Sequence, residues 1–293
     1  MRSGFAHLHP FVNFVFFAFV LLFAMFLSHP AVQIVGLLCA GWFALHYSGR
    51  KKFIHQLWMI LPVMLFAAVI NPLVSHQGVT VLFYFSSGNA CTLESLLYGV
   101  SAAVRLGTTL LWFIGWNAVM TSDKFVYLFG RLIPSLALTV SMGLRFVPRL
   151  IRRMREVAAA QRCLLPDERG WLAKVRRAGR VVSIVITWAL ENALDTADSM
   201  KSRGYGLPKR TAFSLYRFTM QDAACLLILL VFGGMVLAGQ FTGGLYWQYY
   251  PFFEGMHNGL TVLWLAAFAL LSIFPLMFDA KEALQWRVSK SRI

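Results

Sequence analysis

The chain has 293 residues, of which 58% are hydrophobic and 13% are charged, and its formal net charge is +15 at pH 7. Its mean hydropathy of +0.64 excludes an ordinary water-soluble domain, whose composition is more polar. The four cysteines are scattered and include no Cys-x-x-Cys pair, so neither a disulfide framework nor a thiolate metal site is indicated.

Long apolar segments predict six membrane spans, because a spanning helix needs about 20 mostly apolar residues. The first three end at Ser28-His29-Pro30, at Gly49-Arg50-Lys51-Lys52 and at Asn71-Pro72, where proline, glycine or charge interrupts the apolar run. Thr92 is the predicted N-cap of the fourth span, with Glu94 in its first turn. The predicted spans are Phe11–Leu27, Ala31–Tyr47, Leu57–Ile70, Ser95–Met120, Ala223–Gly239 and Gly259–Phe278.

Shorter segments connect these spans. Val79–Phe85 is rich in β-prone residues inside a polar, turn-rich stretch, which predicts a short hairpin or loop. A helix beginning at Ser122 or Asp123 has the spacing of an interfacial helix. Leu132–Leu144 is too short to cross alone, so we expect it near the cytoplasmic surface.

Lysine and arginine distribution predicts the orientation. If the N-terminus is inside, the outer connections are Ser28–Pro30, Asn71–Glu94 and the aromatic Gln240–Asn258, and they contain no Lys or Arg. The inner segments hold Arg2, Arg50-Lys51-Lys52, the basic middle of the chain and the C-terminal tail. The positive-inside rule therefore predicts six crossings of the cell membrane with both termini cytoplasmic.

The middle of the chain is strongly basic. Arg145–Arg217 contains sixteen of the 27 lysines and arginines but only six of the twelve acids. Amphipathic spacing predicts one helix over Arg149–Arg162, with Pro148 in its first turn, and a second from about Trp171 to Arg203. We predict an N-terminal membrane domain at 1–120, a cytoplasmic helical module at 121–217 and a C-terminal membrane domain at 218–293, and thus an all-α polytopic membrane protein.

Two arginines near the ends of these helices are candidate contact residues for a partner protein. Arg162 and Arg203 have small neighbours, and Gly204-Tyr205-Gly206 predicts a tight helix stop that orients Arg203. Binding to anionic lipid is the alternative for so basic a stretch, but acidic residues on the second helix argue against it. The candidate docking residues are Arg162, Arg203, Ala160, Cys163, Ser202 and Gly204, with Arg145, Arg153, Glu191 and Asp198 as supporting residues.

Several motifs together resemble those of a known family. They are His9-Pro10-Phe11-Val12-Asn13-Phe14, Asn71-Pro72-Leu73, Leu144-Arg145-Phe146-Val147-Pro148, Ala160-Gln161-Arg162, and Met200-Lys201-Ser202-Arg203-Gly204-Tyr205-Gly206 followed by Arg210-Thr211. With these motifs the chain resembles the transmembrane (T) components of energy-coupling factor (ECF) transporters, which include the cobalt-transporter membrane subunit.

The resemblance implies a role for the two arginines. In that family, two coupling helices each end in an arginine that docks into a groove on one of a pair of ABC-type ATPase subunits, and the matching positions here are Arg162 and Arg203. Gln161 departs from the usual small residue before the first arginine. The resemblance further implies a non-catalytic chain without a cofactor of its own, ATP and Mg²⁺ bound by the partners, and a separate substrate-binding membrane (S) component. A metal ion and a vitamin are equally compatible as substrate.

Other functional classes find less support in the residues. The sequence contains no Gly-x-x-x-x-Gly-Lys-Ser/Thr phosphate loop, and nothing indicates nucleic-acid binding. A self-contained secondary transporter is the alternative function, for which Arg105 inside the fourth span is the candidate residue. A membrane enzyme would need clustered acids or histidines. His7 and His9 could reach one metal ion, although an interfacial segment explains them more simply.

Overall fold

The computed structural model describes residues 4–75, 78–84, 90–130, 134–164, 170–205, 216–250, 253–255 and 259–290. The chain divides into two compact units, which we call the membrane unit (Met1–Thr121 with Tyr216–Ile293) and the middle unit (Ser122–Leu215). Over the described residues the elements in order are α1 (Gly4–His7), α2 (Pro10–Phe26), α3 (Pro30–Ser48), α4 (Arg50–Val74), β1 (Val81–Tyr84), β2 (Ala90–Thr92), α5 (Leu93–Val119), α6 (Ser122–Gly130), α7 (Pro134–Leu164), α8 (Trp171–Ser202), α9 (Met220–Phe241), β3 (Trp247–Gln248), β4 (Glu254–Gly255) and α10 (Thr261–Lys290).

The predicted all-α polytopic membrane class is confirmed. Among the described residues, five helices are long and apolar enough to cross a membrane, namely α3, α4, α5, α9 and the Thr261–Glu282 part of α10. The remaining prediction, the first span at Phe11–Leu27, corresponds to α2, an apolar helix of 17 residues. The cytoplasmic position of the middle unit stays a prediction.

Aromatic rings form the core of the membrane unit. Phe5, Phe16, Phe17, Phe43 and Trp112 are almost completely buried. Their rings meet mostly edge-to-face, with centroids 5.2 Å apart for Phe5 and Phe16 and 5.7 Å apart for Phe16 and Trp112. Such pairs stabilise beyond the burial of area alone, so this cluster holds α1, α2, α3 and α5 together.

Glycines on α5 allow α4 to approach closely. A Cβ at Gly99 would lie 2.5 Å from the backbone oxygen of Ala68, and one at Gly107 would overlap the sulfur of Met64. Small residues are the usual means of bringing membrane helices into contact. The spacing of eight residues places both glycines on one side of α5, along its contact with α4.

The buried carboxylate of Asp279 joins three helices of the membrane unit. It accepts hydrogen bonds from the backbone N–H of Phe5 at 2.9 Å and from the hydroxyl of Tyr47 at 2.5 Å. The Nε2 atom of His46 lies 3.5 Å from the same carboxylate. Residues of α1, α3 and α10 therefore converge on one acidic group.

A second carboxylate, that of Asp222, ties the beginning of α9 to the segment before α2. It accepts the backbone N–H of His9 at 2.9 Å and forms a reciprocal capping box with Thr219. The capping box satisfies two backbone donors at the start of α9. His9 is itself the N-cap of α2, where its Nδ1 accepts the N–H of Phe11.

The connection between α9 and α10 packs against the turn between α2 and α3. The Tyr249 hydroxyl donates to the carbonyl oxygen of Ser28 at 3.4 Å, and the Tyr250 hydroxyl donates to the side-chain oxygen of Asn71 at 3.3 Å. The rings of Trp247 and His29 lie with their centroids 5.6 Å apart. This connection therefore contacts the turn between α2 and α3 and the end of α4.

Local predictions before α5 are confirmed. β1 pairs antiparallel with β2, as the β-prone stretch indicated. Thr92 is the N-cap of α5, and its side chain accepts the N–H of Ser95 at 3.2 Å. Glu94 is buried and accepts hydrogen bonds from the backbone N–H and the hydroxyl of Thr80, so the helix start and the hairpin are joined.

Two predicted helix boundaries are wrong, both at proline. α4 continues through Pro72 to Val74, and α7 begins at Pro134 and continues through Pro148 to Leu164. The segment Leu132–Leu144 is therefore no separate helix where it is described; residues 131–133 lie outside the described residues. Neighbouring helices and local adjustment can offset the hydrogen bond that a proline removes.

Candidate functional site

The candidate site is built on α7 and α8, which pack against each other in the middle unit. Val181 and Val185 of α8 are buried, whereas most of the remaining residues of this helix are exposed. Both helices are long, with 31 and 32 residues. At about 1.5 Å per residue each extends roughly 45 Å, so the helix ends reach far beyond the contact between them.

Trp188 of α8 contacts three residues of α7. Its ring stacks on Phe146 of α7 with centroids 6.4 Å apart and an angle of 8° between the planes. The guanidinium carbons of Arg149 and Arg153 lie 5.7 Å and 5.4 Å from the Trp188 centroid. Arg153 also pairs with Glu156 at 3.1 Å. Cation–π contacts of this kind contribute about 0.5–1 kcal/mol each at exposed sites, so they fix the crossing in addition to the stacked rings.

The end of α8 holds Arg203 in a defined backbone conformation. The sequence predicted Arg203 in the last turn of α8. In the structure Arg203 is the C-cap, one position after the helix ends at Ser202. Gly204 has φ +76°, and its N–H donates to Lys201 while that of Tyr205 donates to Met200, at 2.9 Å and 3.0 Å. This is the Schellman arrangement that glycine favours at C′. The predicted glycine stop is confirmed at Gly204; Gly206 lies outside the described residues.

The Arg203 side chain is exposed, as is that of Ser202 beside it. The Ser202 hydroxyl donates to the carbonyl oxygen of Ser199 at 2.9 Å. Within the part of the chain that the structure describes, the Arg203 guanidinium makes no hydrogen bond or salt bridge. Its charge is therefore available for contact with another molecule.

Arg162 lies in the last turn of α7, and it is exposed together with Ala160 and Cys163. The Arg162 guanidinium makes no hydrogen bond or salt bridge with any described residue. The two arginines thus share an exposed setting among small residues, one at the end of each helix. Residues 165–169, which follow α7, lie outside the described residues.

The four predicted supporting residues differ in their contacts. Arg153 contacts Trp188 and Glu156. Arg145, Glu191 and Asp198 are exposed, and none of them has a polar partner among the described residues. Sequence reasoning missed Trp188, although the spacing of Arg149 and Arg153 on one face of α7 was a usable signal for an aromatic partner.

Lys124 of α6 is buried, which is unusual for a lysine. Burial disfavours the charged form and lowers the pKa of Lys124 to about 8. In the membrane unit, burial also lowers the pKa of His9, against the opposing effect of the Asp222 carboxylate.

Arg105, the candidate residue of the alternative function, lies in α5 and is partly buried. Its Nη2 is 3.5 Å from the hydroxyl of Ser28. One turn earlier in α5, Ser101 exchanges hydrogen bonds with Gln33 of α3. No group of three or more His, Cys, Asp or Glu residues that could hold a metal ion occurs in the described ranges.

A family model described as "Cobalt transport protein" (CbiQ) matches residues 2–213, which is well over half of the chain. The chain belongs to this family. Among curated relatives, this CbiQ-family chain is 25% identical over 246 residues to the energy-coupling factor transporter transmembrane protein EcfT of Exiguobacterium sibiricum, covering 79% of the chain and 93% of the relative.

Two other relatives match over shorter lengths. The chain is 30% identical over 112 residues to EcfT of Bacillus selenitireducens, covering 37% of the chain and 42% of the relative. It is 33% identical over 104 residues to the uncharacterized protein MG181 of Mycoplasma genitalium, covering 34% of the chain and 24% of the relative. The matched part of the chain thus spans less than half the length of each of these two relatives.

Proposed function

We propose that this chain is the energy-coupling transmembrane (T) component of an ECF-type, ATP-driven importer of a micronutrient, either a vitamin or a transition-metal ion. Membership of the CbiQ family and the similarity to proteins named EcfT support this proposal. The observation that carries it is the exposed Arg203 guanidinium, which has no polar partner among the described residues and lies at a helix end that Gly204 terminates.

In the proposed mechanism, Arg162 and Arg203 each enter a groove on one of two ABC-type ATPase subunits. ATP and Mg²⁺ bind to those partners, and this chain is non-catalytic with no cofactor of its own. A long cation with small neighbours such as Ala160 and Gly204 fits this role, because bulky side chains do not obstruct its approach. The other candidate docking residues, Cys163 and Ser202, would line the contact.

The helix crossing would carry the motion of the ATPases. Because Trp188 stacks on Phe146 and lies against Arg149 and Arg153, displacement of one helix end moves both helices together. The polypeptide continues directly from α5 into α6 and from Tyr216 into α9. The motion would thereby reach the spans, on which a separate substrate-binding membrane (S) component packs.

The proposed orientation places the middle unit in the cytoplasm, where ATP is available. The outer connections carry no Lys or Arg, whereas the middle unit and the C-terminal tail are basic. The positive-inside rule then puts both termini on the cytoplasmic side of the cell membrane.

Matched substitutions test the docking arginines. We expect Arg203→Ala and Arg162→Ala each to weaken ATPase binding by about 2–5 kcal/mol, the usual cost of removing one partner of a buried charged contact. Co-purification with the ATPases and substrate uptake are the measurements. Lys201→Ala removes a neighbouring exposed cation from α8, and Arg155→Ala removes one from the same face of α7 as Arg162.

The controls decide the interpretation. Loss of co-purification in the two docking variants, with near-normal binding in the two controls, supports specific docking. Wild-type co-purification and uptake in both docking variants would refute the assignment. Equal losses in all four variants would indicate that general positive charge, not these positions, attracts the ATPases.

The second candidate function is a self-contained secondary transporter, favoured by the partly buried Arg105 beside Ser28. Ionisable residues within spans often mark transport pathways. Purified chain in liposomes distinguishes the two functions. Uptake without ATPases that is lost in Arg105→Gln would favour the secondary transporter, whereas uptake that requires ATPases and ATP would favour the T component.

A further inference from the structure

The first half of α8 carries an exposed apolar stripe that is separate from its packing face. Trp171, Leu172 and Val175 are 76%, 75% and 50% exposed, and Val182 and Ile186 continue the stripe. At about 100° of rotation per residue, these five positions fall within a sector of about 100°. Val181 and Val185, which are buried, lie outside this sector. The described residues of the middle unit therefore leave this stripe uncovered.

Cations border this stripe on both sides. Lys174 precedes it around the helix, Arg176 follows it, and both are exposed. The sequence contains no acid between Trp171 and Leu190. An apolar sector flanked by cations, with a tryptophan at its end, is the arrangement of helices that lie in a membrane interface.

The charge of the polar face reverses along α8. Arg176, Arg177 and Arg180 lie in the first part, whereas Glu191 and Asp198 lie in the second. These five residues lie outside the first and last turns of α8, where the helix dipole acts, so helix stability does not explain this order. Contact with two different surfaces does explain it, one anionic and one not.

We propose that residues 171–186 of α8 bind a membrane surface containing anionic phospholipids. The apolar stripe enters the boundary between headgroups and acyl chains. Lys174 and Arg176 bury their hydrocarbon stems beside it and direct their charges to lipid phosphates. The acidic second half of α8 stays in water. This surface is distinct from the docking ends at Arg162 and Arg203, and its test requires no ATPase.

Charge selects lipid over a purely apolar protein face as the occupant. An apolar helix of a partner would cover the stripe but would leave both flanking cations without counter-charges. Near an anionic membrane each cation strengthens binding by about 1 kcal/mol, or about fivefold. We therefore expect the contact to depend on anionic lipid and to weaken with salt.

A fluorophore at Val175→Cys reports the contact in the full-length chain. Cys163→Ser removes the exposed cysteine among the described residues, where the other three are buried. The labelled protein is placed in nanodiscs of phosphatidylcholine alone or mixed with phosphatidylglycerol. Quenching by doxyl-labelled lipid measures membrane contact, and quenching by iodide measures exposure to water. A label at Asp195→Cys, on the acidic half, is the matched control.

We expect doxyl lipid to quench the Val175 label only when phosphatidylglycerol is present, while the Asp195 label stays accessible to iodide. Lys174→Gln with Arg176→Gln should raise the phosphatidylglycerol content needed for half-maximal quenching, and Lys174→Arg should not. Iodide access at position 175 in the anionic discs would overturn the proposal. So would equal doxyl quenching without phosphatidylglycerol, or shielding that appears only when a partner membrane protein is added.

Discussion

The carboxylate of Asp279 accepts the backbone N–H of Phe5 at 2.9 Å, although 274 positions separate the two residues. Because the same carboxylate accepts the Tyr47 hydroxyl, its loss would take this acceptor away from two donors. We expect Asp279→Ala to lower the free energy of unfolding by about 3 kcal/mol, since each buried donor that loses its acceptor costs about 1–3 kcal/mol. Thermal unfolding in detergent measures the effect.

Two further variants make this prediction specific. Asp279→Asn retains one acceptor oxygen, so we expect its free energy of unfolding to be only about 1 kcal/mol lower than that of the wild type. Asp195→Ala removes an exposed acid and should change stability by less than about 0.5 kcal/mol. Equal stability of Asp279→Ala and the wild type would show that the buried carboxylate does not hold these helices together.

The close approach of α4 to α5 predicts opposite effects for two glycine substitutions. Gly99→Ala places a Cβ 2.5 Å from the Ala68 oxygen, so backbone must move, at a cost of about 1–3 kcal/mol. Nothing lies within 4 Å of a Cβ at Gly41 of α3. Gly41→Ala should therefore be neutral or stabilise by up to about 1 kcal/mol through helix propensity. Similar unfolding temperatures for the two variants would contradict the predicted packing.

The Trp188 contact predicts a separation of ATPase binding from transport. Trp188→Ala removes the ring that Phe146 and two arginines contact, and should destabilise the middle unit by about 2 kcal/mol. If the crossing carries motion, ATPases should still co-purify while uptake per hydrolysed ATP falls. Trp188→Phe keeps a ring on Phe146 and should retain most of the coupling. Unchanged uptake in Trp188→Ala would exclude this contact from the transmission of motion.

The buried Lys124 predicts a pH dependence of stability. Its pKa is about 8 in the folded chain against an ordinary value of 10.5, so between these pH values the unfolded chain binds more protons. Stability should therefore rise as pH increases from about 8 to about 10.5. Lys124→Met should remove this part of the rise. Unfolding temperatures of the two proteins across this range are the measurement, and parallel curves would contradict the prediction.

Features that depend on a few neighbouring residues could be predicted from the sequence. Thr92 caps α5 and Gly204 stops α8 because capping is decided within one helical turn. The β1 strand follows from a β-prone run between turn residues. The exposed positions of Arg162 and Arg203 agree with the expectation from their small neighbours, whereas their docking role stays a prediction.

Features that depend on distant contacts could not be predicted. The continuation of α7 through Pro148 requires compensation, and the stacked Phe146–Trp188 pair two residues away supplies packing there. That pair becomes visible only when α7 and α8 are known to be neighbours. The Phe5–Asp279 hydrogen bond likewise joins the first helix to the last, beyond the range of any local pattern.

The membrane unit is assembled from two stretches of chain that are joined by noncovalent contacts of their own. Asp279 holds Phe5, Asp222 holds His9, and Tyr249 reaches Ser28, each across the boundary between the two stretches. Covalent continuity through the middle unit is therefore not what keeps them together. Fragments 1–121 and 216–293, expressed as separate polypeptides, should reassemble in the bilayer, much as split proteins do by complementation.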